Sequence, residues 1–165
     1  MQLLRGKFLA ARAWLALGIL VASAALAQSA PPEPLSAFPQ SLLAIRTRAG
    51  KVVDFKIWEA DTPKREEQGM MFIRDMDEHT GMLFMFPENK PVSMWMKNTY
   101  VSLDLLFLNA QGKIDYIAEK ATPRSEAIIG PATPEFAVLE LKGGACERFG
   151  IKIGDKVLHK NFKKQ

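Results

Sequence analysis

Short apolar runs, each closed by glycine, proline or asparagine, recur along this chain at intervals of about ten residues. One of them, the run 82–86 (MLFMF), is too short for an ordinary helix and lies between Gly81 and Pro87. Runs of this length between turn residues are typical of strands. The spacing therefore predicts a mainly β domain, a compact antiparallel sandwich or barrel with one or two short helices.

The same turn residues indicate the bounds of the individual strands and helices. Strands are predicted at 42–48, 52–60, 82–86, 92–98, 100–108, 113–120, 135–142 and 156–162. A short helix is predicted at 63–70, because Thr62 offers an N-cap oxygen and Pro63 suits the first helical position. A second helical turn is predicted at 144–149, ended by Gly150.

The N-terminus has the order of features found in a secretory signal peptide. Residues 1–12 contain basic residues and no acidic one, residues 13–27 are uncharged, and Ala25-Leu26-Ala27 fits an A-x-A cleavage site. The uncharged run is shorter than the roughly 20 residues that span a bilayer. Cleavage between Ala27 and Gln28 is predicted, which makes the mature protein periplasmic or secreted. The alternative is an uncleaved segment that anchors the protein in the inner membrane, the only membrane contact expected.

After the leader the chain divides into a tether and one domain. The prolines of residues 28–41 predict a flexible tether, and residues 42–165 predict a single β-rich domain. A length of 165 residues with 48% hydrophobic and 24% charged residues fits one globular domain. We expect a monomer.

The formal net charge of +4 suggests an anionic partner only at first sight. The leader contains three of the 22 basic residues and none of the 18 acidic ones, so the mature chain has a net charge of +1. Nucleic-acid binding is therefore not predicted.

The inventory of ligating residues is poor. One cysteine and two distant histidines do not make a zinc site, and no glycine-rich segment matches a nucleotide-binding fingerprint, so no metal or cofactor is predicted. The methionines of the mature chain all lie between residues 70 and 96, a window that also contains His79. Thioethers and an imidazole can hold Cu(I), so a copper carrier is a third hypothesis; methionine as an apolar core residue is the competing interpretation.

A series of motifs resembles a known family. They are GMMFIRDM (69–76), GMLFMFP (81–87), MWMKNT (94–99), SLDLLFLNAQGKI (102–114), VLELKGG (138–144) and GIKIGDKV (150–157). Together they resemble the family called domain of unknown function 192 over most of residues 42–162. The resemblance implies a small exported or membrane-anchored prokaryotic protein with a compact β-rich fold. It implies no catalytic residue, because the family has no established reaction.

The polar residues of these motifs are the candidates for a binding site. They are Arg74, Trp95, Lys97, Asn98 and Thr99. Strand alternation would place Trp95 and Lys97 on one face, where a ring and an ammonium group suit a sugar or an anionic ligand. Our leading hypothesis is a non-catalytic exported module that binds a small molecule or an envelope glycan. Alternatively, Trp95 packs under a loop while Lys97 extends to water.

Two carboxylates in apolar strands, Asp104 and Glu140, are the candidates for chemistry. A buried carboxylate is either paired or has a raised pKa, and both states serve a general acid or base. The second hypothesis is a small periplasmic hydrolase that uses one of them. The competing interpretation is structural: the carboxylates pair with Arg74 or Lys97 and with backbone amides, and so fix loops. Cys146 is either a nucleophile at a helix start or a small buried residue. No catalytic residue is assigned.

Overall fold

The structure, a computed structural model, describes residues 31–86, 88 and 91–162. The predicted leader, its cleavage site and the first residues of the predicted tether lie outside the described residues. The strands are β1 (Gln40–Arg46), β2 (Val52–Ala60), β3 (Thr80–Met85), β4 (Leu103–Leu108), β5 (Ile114–Ala121), β6 (Ala137–Lys142) and β7 (Lys156–Leu158). The helices are α1 (Pro63–Gln68) and α2 (Ala145–Phe149). The prediction of a mainly β domain with short helices is confirmed.

The strands form one curled sheet in the order β5-β4-β6-β3-β2-β1-β7. All neighbouring pairs are antiparallel except β2 and β3. These two strands are parallel, which requires a crossover connection, and that connection contains α1. The outer strands β5 and β7 approach at one end, where Lys113 bridges Lys156 and the Val157 amide donates to the Gly112 carbonyl over 2.7 Å. The sheet therefore curls into a half-barrel.

Both faces of the central strands are buried, and each face has its own apolar cluster. In β4, Leu106 and Leu108 point to the first cluster, whereas Leu105 and Phe107 point to the second. The α2 helix packs on the first cluster through Ala145 and Cys146. Because burial of each such side chain contributes about 1.5–3 kcal/mol, neither face can be left open to water.

The second face is covered by an irregular segment, where we predicted a strand at 92–98. That prediction is wrong: residues 91–101 contain only isolated bridges, at Pro91 and Met94. The alternation of burial is nevertheless present, since Val92 and Met96 are buried while Trp95 is 42% exposed. Met94 exchanges backbone hydrogen bonds with Ile129 in a loop instead of with a neighbouring strand. The alternation of apolar residues therefore predicts which side chains are buried even where the backbone does not form a strand.

Helix α1 begins as its sequence predicts and ends at Gln68, two residues before the predicted end. The Thr62 hydroxyl accepts the Arg65 amide over 3.3 Å, and Pro63 starts the helix. Gly69 then adopts a φ of 47°, which stops the helix.

Part of the predicted tether contacts this helix. The Glu33 amide donates to Gln68 Oε1 over 2.7 Å, and Phe38 is buried under the Arg65 guanidinium. Within the described residues no helix is long and apolar enough to cross a membrane.

Candidate functional site

A cleft of about 160 Å³ lies over the second apolar cluster, between helix α1 and the irregular segment 91–101. Its walls combine aromatic rings, thioethers and polar groups. They are Glu66, Glu67, Gln68, Gly69, Met70, Met71, Phe84, Phe86, Ser93, Met94, Trp95, Lys97, Thr99 and Glu140. The cleft is the part of the described surface where most of the predicted ligand-binding residues meet.

Glu140 forms part of this cleft and is its most unusual residue. It lies in the middle of β6, paired with Met82 of β3 on one side and Leu105 of β4 on the other. Its side chain is only 4% exposed, and its Oε2 has no hydrogen-bond partner among the described residues. Burial raises the pKa of this carboxyl to about 8. Glu140 is therefore a protonated carboxyl group at neutral pH, with unused hydrogen-bonding capacity.

Trp95 and Lys97 lie side by side in the wall of the cleft. The Lys97 ammonium lies 4.9 Å from the centroid of the Trp95 ring, and Trp95 is 42% exposed. Thr99 follows on the same wall and is buried; its hydroxyl approaches the Lys97 carbonyl at 3.4 Å. These three predicted residues are brought together with Glu140.

Arg74 and Asn98 do not line the cleft. The Arg74 guanidinium lies 4.5 Å from the centroid of the Tyr100 ring, on the protein surface. The carbonyl of Asn98 accepts the Phe72 amide over 2.8 Å, and its side-chain amide approaches the Met71 sulfur at 4.0 Å. Asn98 lies between Lys97 and Thr99, which line the cleft, and Arg74 lies three residues after Met71, which also lines it.

Asp104 points to the opposite face of the sheet from Glu140. One of its oxygens accepts the amides of Lys120 and Gly144 over 2.7 and 3.0 Å, and the other accepts the amide of Cys146 over 2.8 Å. It thus satisfies the first amides of α2 and links them to β5. Among the described residues neither Asp104 nor Glu140 pairs with Arg74 or Lys97, the counter-charges expected from the sequence.

Cys146 is a buried free thiol in the first turn of α2. Burial, with the neighbouring Asp104 carboxylate, raises its pKa well above the ordinary range, which disfavours the thiolate. Neither histidine hydrogen-bonds to it in the described part of the chain. The His79 ring packs at a tilt against Phe149, and His159 contacts the Ser41 hydroxyl. Its surroundings are those of a small buried residue.

The methionines are divided between the cleft and the core. Met70, Met71 and Met94 line the cleft, and Met70 is also buried in the second cluster with Met76, Met82 and Met96. Met85 packs against the first cluster. His79, which the copper hypothesis included, packs against Phe55 instead. Over residues 31–86, 88 and 91–162 no group of histidine, cysteine and carboxylate side chains is placed to hold a metal ion.

Sequence analysis missed the contribution of helix α1. Glu66, Glu67 and Gln68 lie in its last turns and line the cleft opposite Trp95. Their signal was their position: they directly precede the GMMFIR motif in the chain. What the sequence could not indicate is that the β2–α1–β3 crossover brings them over Glu140.

The solved structures that are similar to this chain include two bacterial proteins. One is a suspected transcription regulator from Sinorhizobium meliloti, 42% identical, with a TM-score of 0.72, covering 73% of this chain and 94% of that protein. The other is a protein of unknown function from Novosphingobium aromaticivorans, 31% identical, with a TM-score of 0.72, covering 81% of this chain and 94% of that one. No curated protein matches the chain.

The family comparison agrees with the motifs. The model of the family DUF192, described as "Uncharacterized ACR", matches residues 44–159. That range includes every residue of the cleft and all strands except the first part of β1. The motifs, the curled sheet and the similar structures agree with this match. Because the family model covers more than half of the sequence, the chain belongs to the DUF192 family.

Proposed function

We propose that this protein is an exported, non-catalytic module that binds a small hydroxylated molecule, or one unit of an envelope glycan, in the cleft. The observation that carries the proposal is Glu140: a buried carboxyl with an unpartnered oxygen beside an accessible cleft. A buried polar group without a partner costs about 1–3 kcal/mol. A ligand that supplies the missing hydrogen bond recovers that free energy.

The protonation state of Glu140 favours a neutral ligand group. Its pKa of about 8 keeps it protonated at neutral pH, so it can donate one hydrogen bond and accept another. A sugar hydroxyl also does both. A neutral Glu140 carries no charge with which an anionic group could pair.

The apolar part of the cleft suits the carbon face of a sugar ring. Trp95 is partly exposed, and Phe86 lines the same cleft. The volume of about 160 Å³ is smaller than the roughly 300–1,000 Å³ of pockets that enclose a drug-sized molecule. The cleft therefore accommodates one ring, and a longer glycan would extend out of it.

The test is a titration of the full chain with N,N′-diacetylchitobiose, followed through the indole N–H resonances in a ¹H–¹⁵N spectrum. The Trp95 signal should shift, while that of Trp58, which does not line the cleft, serves as an internal reference. Replacing Trp95 by alanine should weaken binding by about tenfold, because an aromatic stacking contact contributes about 0.5–1.5 kcal/mol. Glu140→Leu, which has no polar atom, should weaken it similarly.

The matched control is Tyr116→Ala, because Tyr116 is exposed to a similar extent and lies on β5. This variant should bind as the unchanged protein does. Saturating saccharide that leaves the Trp95 resonance unmoved would contradict the proposal. Unfolding of both Trp95→Ala and Lys97→Ala would mark these residues as structural instead.

A second candidate, a small glycoside hydrolase, is favoured by the same carboxyl. A protonated Glu140 could act as a general acid, with Glu66 or Glu67 across the cleft as the second carboxylate. The protein would then hydrolyse N,N′-diacetylchitobiose to N-acetylglucosamine, and the number of reducing ends would rise. Glu140→Gln would abolish that release while binding remained, whereas no release from the unchanged protein would exclude this reaction for that substrate.

A role in transcription, which the description of the Sinorhizobium protein suggests, receives no support from the charge of this chain. Without the predicted leader the net charge is +1, and the cleft carries carboxylates on its α1 wall. Proteins that bind nucleic acid present a basic surface.

A further inference from the structure

An exposed aromatic surface borders the cleft. Phe72 and Tyr100 are 45% and 37% exposed, and their rings meet edge to face at 6.4 Å between centroids. The Arg74 guanidinium covers the Tyr100 ring at 4.5 Å. We call these three residues the platform. Phe72 follows Met71, and Tyr100 follows Thr99, both of which line the cleft, so the platform continues the cleft wall.

The backbone holds this surface in an unusual conformation. Phe72 has a φ of 67° and Asn98 a φ of 55°, and the Phe72 amide donates to the Asn98 carbonyl over 2.8 Å. A positive φ is rare for a bulky residue, and such conformations cluster at functional sites. Here it occurs at a residue whose large apolar ring is 45% exposed.

Charge divides the cleft and the platform into two sides. Lys97 lies over the Trp95 ring and Arg74 over the Tyr100 ring, and neither forms an ion pair within the described residues. Glu66 and Glu67, which belong to helix α1, also line the cleft. An anionic group is therefore attracted to the platform side and repelled from the α1 side.

We infer that the ligand is an acidic oligosaccharide of at least two units, with a neutral unit in the cleft and a carboxylate-bearing unit on the platform. The inference rests on the proposed function and specifies its ligand class. Aromatic rings pack against the apolar faces of sugar rings, and the two cations beside them pair with the carboxylate. A single neutral sugar would leave Phe72, Tyr100 and both cations without a role.

The test compares two disaccharides that differ only in a carboxylate-bearing substituent. They are N-acetylglucosaminyl-N-acetylmuramic acid, which has a lactyl carboxylate, and N,N′-diacetylchitobiose, which does not. Isothermal titration with the full chain should show about fivefold tighter binding of the acidic disaccharide at low salt, and the difference should shrink in 0.5 M NaCl. Equal affinities for the two disaccharides would overturn the inference.

Variants locate the effect on the platform. Arg74→Gln should reduce the preference for the acidic disaccharide over N,N′-diacetylchitobiose, because Lys97 alone then remains to pair with the carboxylate. Phe72→Ala with Tyr100→Ala should weaken the acidic disaccharide several-fold, and Tyr116→Ala should weaken neither. If Arg74→Gln left the preference intact, the platform would not be the subsite.

The outcomes separate this inference from the proposed function. Chitobiose that shifts Trp95 with no preference for the acidic disaccharide overturns the inference alone. No shift with either disaccharide overturns both. A dimer in analytical ultracentrifugation that Phe72→Ala and Tyr100→Ala dissociate would assign the platform to a second copy of the chain and likewise overturn the inference.

Discussion

Asp104 and Glu140 show how two carboxylates in similar apolar strands acquire different roles. Asp104 accepts three backbone amides, which make it part of the scaffold that joins α2 to β5. Glu140 has an oxygen without a partner, and burial alone shifts its pKa to about 8. The difference comes from what lies above each strand face: amides of α2 over Asp104, an open cleft over Glu140.

Glu140 should make the folded state less stable as the pH rises. Its pKa is about 8 when folded and about 4.5 when unfolded. The unfolded chain therefore releases this proton first, and stability falls between pH 4.5 and 8 by up to about 5 kcal/mol. Glu140→Gln keeps the shape of the neutral carboxyl group and has no proton to release in this pH range. Urea unfolding at pH 5 and pH 8 should show the variant gaining stability relative to the unchanged protein at pH 8.

Comparison of the two proteins isolates Glu140, because all other titrating groups are shared. Parallel stability curves across this pH range would mean that Glu140 is ionised in the folded state. The proposed pairing of a neutral carboxyl with a sugar hydroxyl would then be wrong.

Removing the Asp104 carboxylate should destabilise the fold strongly. Asp104→Ala leaves three amides without an acceptor, two of them at the start of α2, and should lower the free energy of unfolding by about 3–5 kcal/mol. Asp104→Asn keeps one acceptor oxygen and should cost less. Urea denaturation measures the stability of both variants. Asp115→Ala on β5 is the control, because Asp115 forms an exposed ion pair with Lys113 that contributes less than about 1 kcal/mol. Equal losses for Asp104→Ala and the control would contradict this role.

At the scale of elements, the parallel β2–β3 pair is what creates the cleft. Parallel neighbours require a crossover, and here the crossover contains α1, whose last turn supplies Glu66, Glu67 and Gln68. The segment after β3 then returns over the same face and supplies Trp95 and Lys97. If β2 and β3 were joined by a simple hairpin, the connection would contain no helix, and the cleft beside Glu140 would lack the residues that α1 supplies.

Gly81 in β3 should not tolerate a side chain. A Cβ atom there would lie 2.5 Å from the Glu140 carbonyl and 2.8 Å from a Leu141 methyl, so β3 and β6 would have to separate. Gly81→Ala should cost about 2–3 kcal/mol. Gly50→Ala is the comparison, since Gly50 faces open space and only its φ of 86° is strained, at about 1–2 kcal/mol. Thermal unfolding should rank Gly81→Ala as the less stable; the reverse order would contradict the contact.

At the scale of the whole molecule, a curled sheet with both faces buried explains the many apolar strands without a second sheet. Outer strands β5 and β7 approach at one end, which reduces exposed sheet edge there. The positive charge of the full chain does not describe this domain, because the basic excess lies in the N-terminal residues predicted to be a leader.

The leader itself is a prediction about the exported molecule. If residues 1–27 are cleaved, the intact mass of the protein recovered from the periplasm or medium of an expressing bacterium should correspond to a chain that starts at Gln28. Ala27→Asp should block cleavage, because the site requires small uncharged residues. Recovery of the full-length mass from the membrane fraction would instead indicate the anchored alternative.

The sequence by itself determined the fold class, most of the strands and the residue types of the site. Strand length, turn residues and alternation are local properties, so β2, β3, β5 and β6 were predicted close to their observed bounds, and Trp95 was placed opposite Met96 although no strand forms there. Motifs identified Trp95, Lys97, Thr99 and Glu140 without showing that they share one cleft.

Only the tertiary structure decided which carboxylate faces the cleft. Asp104 and Glu140 lie on adjacent strands and are both flanked by leucines, so nothing local distinguishes them. Register between β4 and β6 puts Asp104 opposite Leu141 and Glu140 opposite Leu105, and this offset of one residue sends the two side chains to opposite faces. Pairing between strands distant in sequence sets that register, and with it the difference between a scaffold residue and a candidate binding residue.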